Sequence, residues 1–288
     1  MSGTADLWIA ALVMLLLGGG LSGATWWLAG RMSRRQRAIV GVCLTVGILG
    51  FGFFLSDSVW IARAFPLGAV VMYGNATPIL AGMLVGIVLR SGVALWRRLV
   101  ATVALALIGG YSLFAPALEE PPRCSHRWKD GVCLQTSRAS CAPAAAATLL
   151  AHHGIGATER EMARLCLTGQ SGTLFHGLCR GLRVKTEGTP FLATIGTESA
   201  EDLRAGAQLP ALVSVMLTPE VDRRDARYSS EWSWTVGVGH TVVVFAFPDD
   251  RYVEVGDPSF GRERWGIEAL RDLYVGRFIT LEARETSE

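Results

Sequence analysis

Four uninterrupted apolar segments occupy most of the first 118 residues of this chain and restrict what that part can become. They cover residues 7–29, 38–55, 67–89 and 99–118. Each is close to the roughly 20 residues that an α-helix needs to cross about 30 Å of hydrocarbon. Inside a bilayer every backbone N–H and C=O must be satisfied within the protein, so the four segments are expected as membrane-spanning helices. No Lys or Arg precedes the first span and its basic cluster follows it, which is not the pattern of a cleaved signal peptide.

Loop charges give an expected orientation. Arg31, Arg34, Arg35 and Arg37 follow the first span, and Arg90, Arg97 and Arg98 separate the third from the fourth, whereas the middle loop carries Arg63 alone. Basic loops stay in the cytoplasm. The N-terminus and everything after residue 118 are therefore expected outside it, with the chain integral to a bacterial inner membrane. Trp26, Trp27, Trp60 and Trp96 fall near span ends, as interfacial aromatics do. Gly19 and Gly23 form a small-xxx-small face suited to helix packing. Asn75, Thr77 and Pro78 read as a tolerated kink in the third span. No charge lies deep in a span, so transport has little support.

Composition changes sharply at Glu119. Eight basic and two acidic residues precede it, whereas nineteen basic and twenty-three acidic residues lie from there onward. The second part thus has the balance of an ordinary water-soluble domain. The absence of a basic stripe argues against nucleic acid as a partner. Residues 119–134, opening on Glu119-Glu120-Pro121-Pro122, are expected to link region 1–118 to a domain over 135–288. In that domain helices are expected first, at 141–153, 158–165 and 172–180. Pro143 sits in the first turn of the first helix and Gly154 ends it. Thr158 and Glu161 have the spacing of a capping box. Strands are then expected at 183–187, 210–217, 240–247, 252–255 and 277–282, with short helices at 199–205 and 267–273. Helices followed by an antiparallel sheet make an α+β fold.

Chemistry concentrates in four residues. Cys141 opens the alanine-rich helix, where the partial positive charge of a helix N-terminus favours a thiolate. His240 begins the strand Thr241-Val242-Val243-Val244-Phe245. A turn centred between Pro248 and Asp249 pairs His240 with Asp257, opposite or diagonal, so that a carboxylate can orient the imidazole. Gln135, six residues before Cys141, can donate its amide to a developing oxyanion.

Taken together, the segments from Gln135 to Leu150, Gly172-Thr173 to Gly177-Leu178, Leu209-Pro210-Ala211-Leu212, Gly239-His240-Thr241-Val242-Val243 and Val255-Gly256-Asp257-Pro258-Ser259-Phe260-Gly261 resemble the bacteriocin-processing, double-glycine leader cysteine peptidases. The resemblance covers about residues 135–281. It implies a papain-like fold, with Cys141 as nucleophile, His240 as general base and acid, Asp257 as orienting carboxylate and Gln135 as oxyanion donor. It implies cleavage of a peptide after two small residues, usually Gly-Gly, with no cofactor and no metal. The exporters of that family place the peptidase before the membrane part and an ATPase after it. This chain reverses the first order, and no GxxxxGK[ST] phosphate loop occurs, so nucleotide is not an expected partner. The expected partners are a peptide or protein substrate and the lipid bilayer.

With Cys141 assigned to catalysis, Cys124, Cys133, Cys166 and Cys179 remain in the soluble part. An even number outside the cytoplasm suits two disulfides, and the local pairs Cys124–Cys133 and Cys166–Cys179 are the economical pairing of the three possible. Four buried free thiols are the alternative. Cys124, His126 and Cys133 fit no strong zinc spacing. His176 is expected on a helix surface. Residues 218–238, with Arg223, Arg227, Tyr228, Trp232 and Trp234, form a long polar connection before the histidine strand, either a substrate-gripping flap or a surface loop. The same site chemistry would also serve an amidase or acyltransferase acting on cell-wall peptide, and the fold alone could serve a peptide-binding or sensing module.

Overall fold

The structure is a computed structural model that describes residues 5–197, 199–206, 208–231 and 234–284; Trp232 lies outside the described residues. The chain divides into two compact units, Met1–Glu119 and Glu120–Glu288.

The first unit is helical: α1 (Ala5–Ala29), α2 (Arg34–Gly50) continued by a π-turn (Phe51–Leu55), α3 (Val59–Ala64), α4 (Val70–Tyr73), α5 (Thr77–Leu89) and α6 (Leu95–Leu118). Four stretches are long and apolar enough to cross a membrane: Ala5–Ala29, Arg34–Leu55, Val70–Leu89 and Leu95–Leu118. Ser33 and Gln36 close a reciprocal capping box at the start of α2. α5 is the central helix and packs against α1, α2 and α6. Its seam with α1 depends on glycine: a Cβ at Gly82 would strike the Gly18 backbone, and one at Gly86 the backbone of Ser22. The close face is therefore Gly18 rather than the expected Gly19 and Gly23, which have nothing within 4 Å of an added Cβ. The third span is interrupted between α4 and α5. There Asn75 accepts from Thr77 N at 3.0 Å, satisfying an amide of the break, and donates at 2.9 Å to Ser112 O on α6, the carbonyl that Pro116 leaves without its i+4 amide.

The second unit is α+β. It begins within the stretch read as a linker, where β1 (Trp128–Lys129) and β2 (Val132–Cys133) pair across an Asp130-Gly131 turn with both residues at positive φ, as a type I′ hairpin requires. Three helices follow, α7 (Cys141–His152), α8 (Glu159–Leu165) and α9 (Phe175–Lys185). A six-stranded antiparallel sheet then runs β3-β8-β4-β5-β6-β7, built from β3 (Phe191–Gly196), β4 (Ala211–Met216), β5 (Gly239–Ala246), β6 (Tyr252–Asp257), β7 (Gly261–Gly266) and β8 (Tyr274–Ala283). α10 (Ala200–Gly206), α11 (Pro219–Arg224), α12 (Arg227–Ser230) and α13 (Ile267–Leu273) complete the unit. Alternate residues of the central strands, Val213, Val215, Val242, Val244, Val253 and Val255, share one core with Leu203, Leu270 and Leu273 of α10 and α13. α7 packs on β4, β5 and β6, and residues 142–150 are buried throughout. The small side chains of Ala142, Ala144, Ala145, Ala146 and Ala147 let that helix lie close to the sheet.

Several expectations are corrected. Residues 183–185 are the last turn of α9 rather than a strand, with Arg183 and Lys185 at the helix end where cations are favoured. Lys185 also takes the Glu161 carboxylate at 2.6 Å, and Thr158 alone caps α8, accepting from Glu161 N at 3.1 Å. β3 and β7 were not foreseen. β7 is a charged edge strand, with Arg262 on Glu254 and Arg264 on Asp249. His176 is buried in the first turn of α9.

The disulfide expectation is overturned: all six cysteines are free thiols. Cys166 packs against Gly177 and Gly181, one turn apart on α9, and Cys179 between them is rotated about 200° from Gly177 to another side of the helix. Cys133 is fully buried in β2, while Cys124 directs its sulfur to Pro122 O at 3.4 Å. Burial, and then the Glu159 carboxylate, pushes Cys124 up to about 11 and Cys133 up to about 12. These are protonated packing thiols.

Candidate active site

The site forms where the N-terminus of α7 meets the start of β5. Ser140 precedes α7 but does not cap it: its hydroxyl accepts from Ser137 N at 3.0 Å and lies 2.9 Å from Ser137 O. The first-turn amides of α7 are left for the residue that opens the helix, and Ala142 N–H donates to the Cys141 sulfur. Thr241 N–H donates to the same sulfur, and the His240 imidazole hydrogen-bonds it.

β5 and β6 carry the other two groups. Val243 pairs with Gly256 and Val244 with Val255, two positions from the expected register, with a bulge before Ala246. A two-residue offset preserves which face each side chain occupies, so His240 and Asp257 remain on one face as diagonal neighbours. His240 Nε2 lies 2.9 Å from Asp257 Oδ1, which leaves Nδ1 for the thiol. Ser259 N donates to the same oxygen at 2.7 Å, and the carboxylate is fully buried.

The electrostatics follow from this geometry. Burial works against the Cys141 thiolate, but the hydrogen bond and charge of His240 and the Thr241 and Ala142 amides outweigh it, and the thiol is held below its ordinary value. Burial also works against the imidazolium, yet the bonds to Asp257 and Cys141 raise His240 to about 10. Both shifts run in the direction that favours thiolate and imidazolium, the reactive form of a cysteine nucleophile. Trp234 lies 4.6 Å from the His240 ring between centroids and stacks in turn with Tyr228 and Trp265. An aromatic ring beside the imidazolium favours its charge.

A cleft of about 460 Å³ opens at Cys141 and His240, lined also by Gln135, Arg138, Trp234, Val238 and Phe260. Gln135 is tied by its own N–H to Pro258 O at 2.8 Å, which joins the loop before Cys141 to the turn after Asp257. Its side-chain carbonyl position is buried with no hydrogen-bond partner among the described residues. The Nε2 amide of the same side chain, not this acceptor oxygen, is the end that can donate to a negative charge forming during reaction.

Of the four residues singled out in the sequence, Cys141, His240 and Gln135 thus line one cleft, and the buried Asp257 reaches it through His240. Three others escaped notice there. Glu159, fully buried, accepts from Thr136 N and from the Thr136 hydroxyl, both at 2.7 Å, and pins the loop that carries Gln135; it showed only as part of a helix cap. Trp234 showed only as one aromatic of a polar connection, which in fact carries α11 and α12 and forms one wall of the cleft. Ser259 acts through its backbone and showed only as part of the motif around Asp257.

No family model matches the chain. An uncharacterized protein of Methanothermobacter thermautotrophicus is 41% identical over 151 residues, covering 52% of this chain and 87% of that protein. The chain belongs to one family with it. An uncharacterized protein of Methanothermobacter marburgensis is 29% identical over 154 residues, with the same coverage of 52% and 87%. Among solved structures, the peptidase domain of Streptococcus ComA, a bi-functional ABC transporter of a quorum-sensing pathway, overlays with a TM-score of 0.42 at 18% identity, covering 54% of this chain and all of that one. A double glycine motif protease from an AMS/PCAT transporter, in complex with its leader peptide, gives 0.41 at 17% identity over 58% of this chain and all of that one.

Proposed function

We propose that this protein is a cysteine peptidase anchored by four membrane spans, acting on a peptide or protein substrate. The observation that carries the reading is that Cys141, His240 and Gln135 line one cleft while the buried Asp257 carboxylate holds the His240 imidazole. In the proposed reaction the Cys141 thiolate adds to a peptide carbonyl carbon. The oxyanion is received by the Gln135 amide and the Cys141 N–H, and His240 gives its proton to the leaving amine as the C–N bond breaks. A thioester to Cys141 remains. Water, deprotonated by His240, then adds to the thioester and releases the acid and the thiolate. Asp257 holds the imidazole with Nε2 toward the carboxylate throughout. The motif resemblance supports cleavage after two small residues such as Gly-Gly. The distribution of Arg31, Arg34, Arg35, Arg37, Arg90, Arg97 and Arg98 supports cytoplasmic loops at that end of the spans and an extracytoplasmic peptidase unit. With the cysteines free, the orientation rests on those charges alone.

The test is trapping by a Gly-Gly peptide aldehyde or nitrile on the purified full chain. A covalent adduct on Cys141, absent in Cys141→Ala together with all hydrolysis of Gly-Gly reporter peptides, is the expected result. Peptide that binds without labelling Cys141 would replace the enzyme with a binding module. Cysteine labelling of the second unit in intact cells with an impermeant reagent tests the orientation.

A further inference from the structure

Charge in the first unit is segregated along the helices. Asp6 begins α1, Asp57 follows α2 and Glu119 follows α6, so the three acidic residues of the unit all belong to one end of these helices. Arg31, Arg34, Arg35, Arg37, Arg90, Arg97 and Arg98 belong to the other end, in two connections without a single acidic residue. Most of these arginines are already engaged. Arg31 stacks on Trp27, Arg90 on Trp26 and Arg97 on Trp96. Arg98 donates to Leu89 O at 3.1 Å. Arg34 has no hydrogen-bond or ion-pair partner among the described residues. Arg37 donates one guanidinium N–H to Arg90 O, while its Nε is buried with no partner.

These two arginines stand over an apolar groove. α5 forms its floor through Leu84 and Ile87, and α2 and α6 form its walls through Gly41, Thr45, Ala104 and Leu105. Its volume is about 910 Å³. The groove is open along its length because α2 and α6 each pack on α5 but splay apart from one another. A long apolar trough headed by two cationic side chains, one of them with a buried N–H to spend, matches a molecule with an aliphatic chain and an anionic head. Basic pockets between membrane helices hold anionic lipid headgroups for this reason. We propose that the groove between α2, α5 and α6 is a binding site for an anionic glycerophospholipid, with an acyl chain along Leu84 and Ile87 and the headgroup phosphate between Arg34 and Arg37. The site rests on the reading that this unit spans a bilayer and not on the peptidase reading.

The test uses the full chain, extracted from membranes, stripped of lipid in detergent and titrated with phosphatidylglycerol or phosphatidylcholine while bound lipid is counted by native mass spectrometry. One phosphatidylglycerol should bind at least tenfold more tightly than phosphatidylcholine. Arg34→Gln with Arg37→Gln should weaken phosphatidylglycerol about thirtyfold, from about fivefold for each basic side chain, and leave phosphatidylcholine unchanged. Ala104→Trp, which keeps every arginine but fills the trough, should weaken it comparably. Arg35→Gln, outside the groove, should change it less than twofold. Equal binding of both lipids, equal loss in Arg35→Gln, or a second copy of the chain occupying the groove in cross-linked dimers would each overturn the lipid site. A chain released from membranes by alkaline carbonate would overturn the anchor along with it.

Discussion

Replacement of Asp257 by asparagine isolates the charge of the carboxylate from its shape. In the native site Oδ1 accepts from His240 Nε2 at 2.9 Å and from Ser259 N at 2.7 Å, in a fully buried position. An asparagine carbonyl can keep both bonds. What it loses is the negative charge that supports the imidazolium. A hydrogen bond to a charged group contributes about 1.5–3 kcal/mol net, against about 0.5–1.5 kcal/mol for a neutral one. The difference, about 1–1.5 kcal/mol, corresponds to roughly five- to tenfold in the population of the thiolate–imidazolium pair and in kcat/KM at neutral pH. This is far smaller than the roughly 10⁴-fold loss when the aspartate of a serine triad is neutralised. The serine must lose its proton during attack, whereas a thiol held below its ordinary value beside a raised imidazole gives its proton up more readily beforehand.

The pH profile shows whether the charge acts through the imidazole. In the native protein the pair exists above the lowered thiol value and below the His240 value of about 10, so kcat/KM should rise as Cys141 ionises and fall as pH passes about 10. The limbs report the pair rather than either residue alone. Removing the negative charge makes the imidazolium easier to deprotonate, so the alkaline limb moves down by about one pH unit. The weaker imidazolium stabilises the thiolate less, so the acid limb moves up. The bell narrows from both sides. Asp257→Asn with native kcat/KM and an alkaline limb still near pH 10 would refute the coupling. Asp257→Ala is less informative, because stranding the buried partners should destabilise the fold by about 3–5 kcal/mol.

Three further outcomes are expected. Gln135→Ala should lower kcat about 10²- to 10³-fold with little change in KM, since the amide acts on a charge absent from the bound substrate; steady-state kinetics on a reporter peptide separate the two. Gly82→Val should open the α1–α5 seam, where a Cβ meets the Gly18 backbone, and cost about 1–3 kcal/mol or more, read as a lower unfolding midpoint of the full chain in detergent. Denatured without reductant, the full chain should react with six equivalents of Ellman's reagent, matching its six free thiols; a count of two or four would restore disulfides.

The parts of this fold that could be read in advance are those in which a single local signal and the tertiary requirement agree. α7 is such a case: proline in the first turn, a run of alanine and a terminal glycine at φ +72 all point the same way. The α8 cap is half of one, because Thr158 behaves as its position predicts while Glu161 is drawn off to Lys185 by a helix 24 residues away. Residues 183–187 failed for the same reason in reverse. Alternating Arg183, Val184 and Lys185 look like a strand, but they close a helix whose buried face was already set by Phe175, Leu178 and Leu182. The cysteines failed because parity of count carries no information about direction, and Cys166 packs on the Gly177 and Gly181 side of α9 rather than toward Cys179.

The candidate site was readable despite a register error because of the pleat. A hairpin turn placed by eye between Pro248 and Asp249 misses by two residues, and a bulge at the end of β5 absorbs part of the difference. Strand side chains alternate faces with a period of two, so an even error leaves His240 and Asp257 on the same side, whereas an odd one would have separated them across the sheet. The reach of a histidine and an aspartate then covers the remaining diagonal, ending at 2.9 Å. Trp234 and Glu159 had no such protection. Trp234 acts on His240 through ring packing and Glu159 on Thr136 through a buried carboxylate, and neither interaction leaves a periodic trace in the chain. The candidate catalytic residues were legible through motif and parity, and those that hold them were not, because holding is decided by packing between elements.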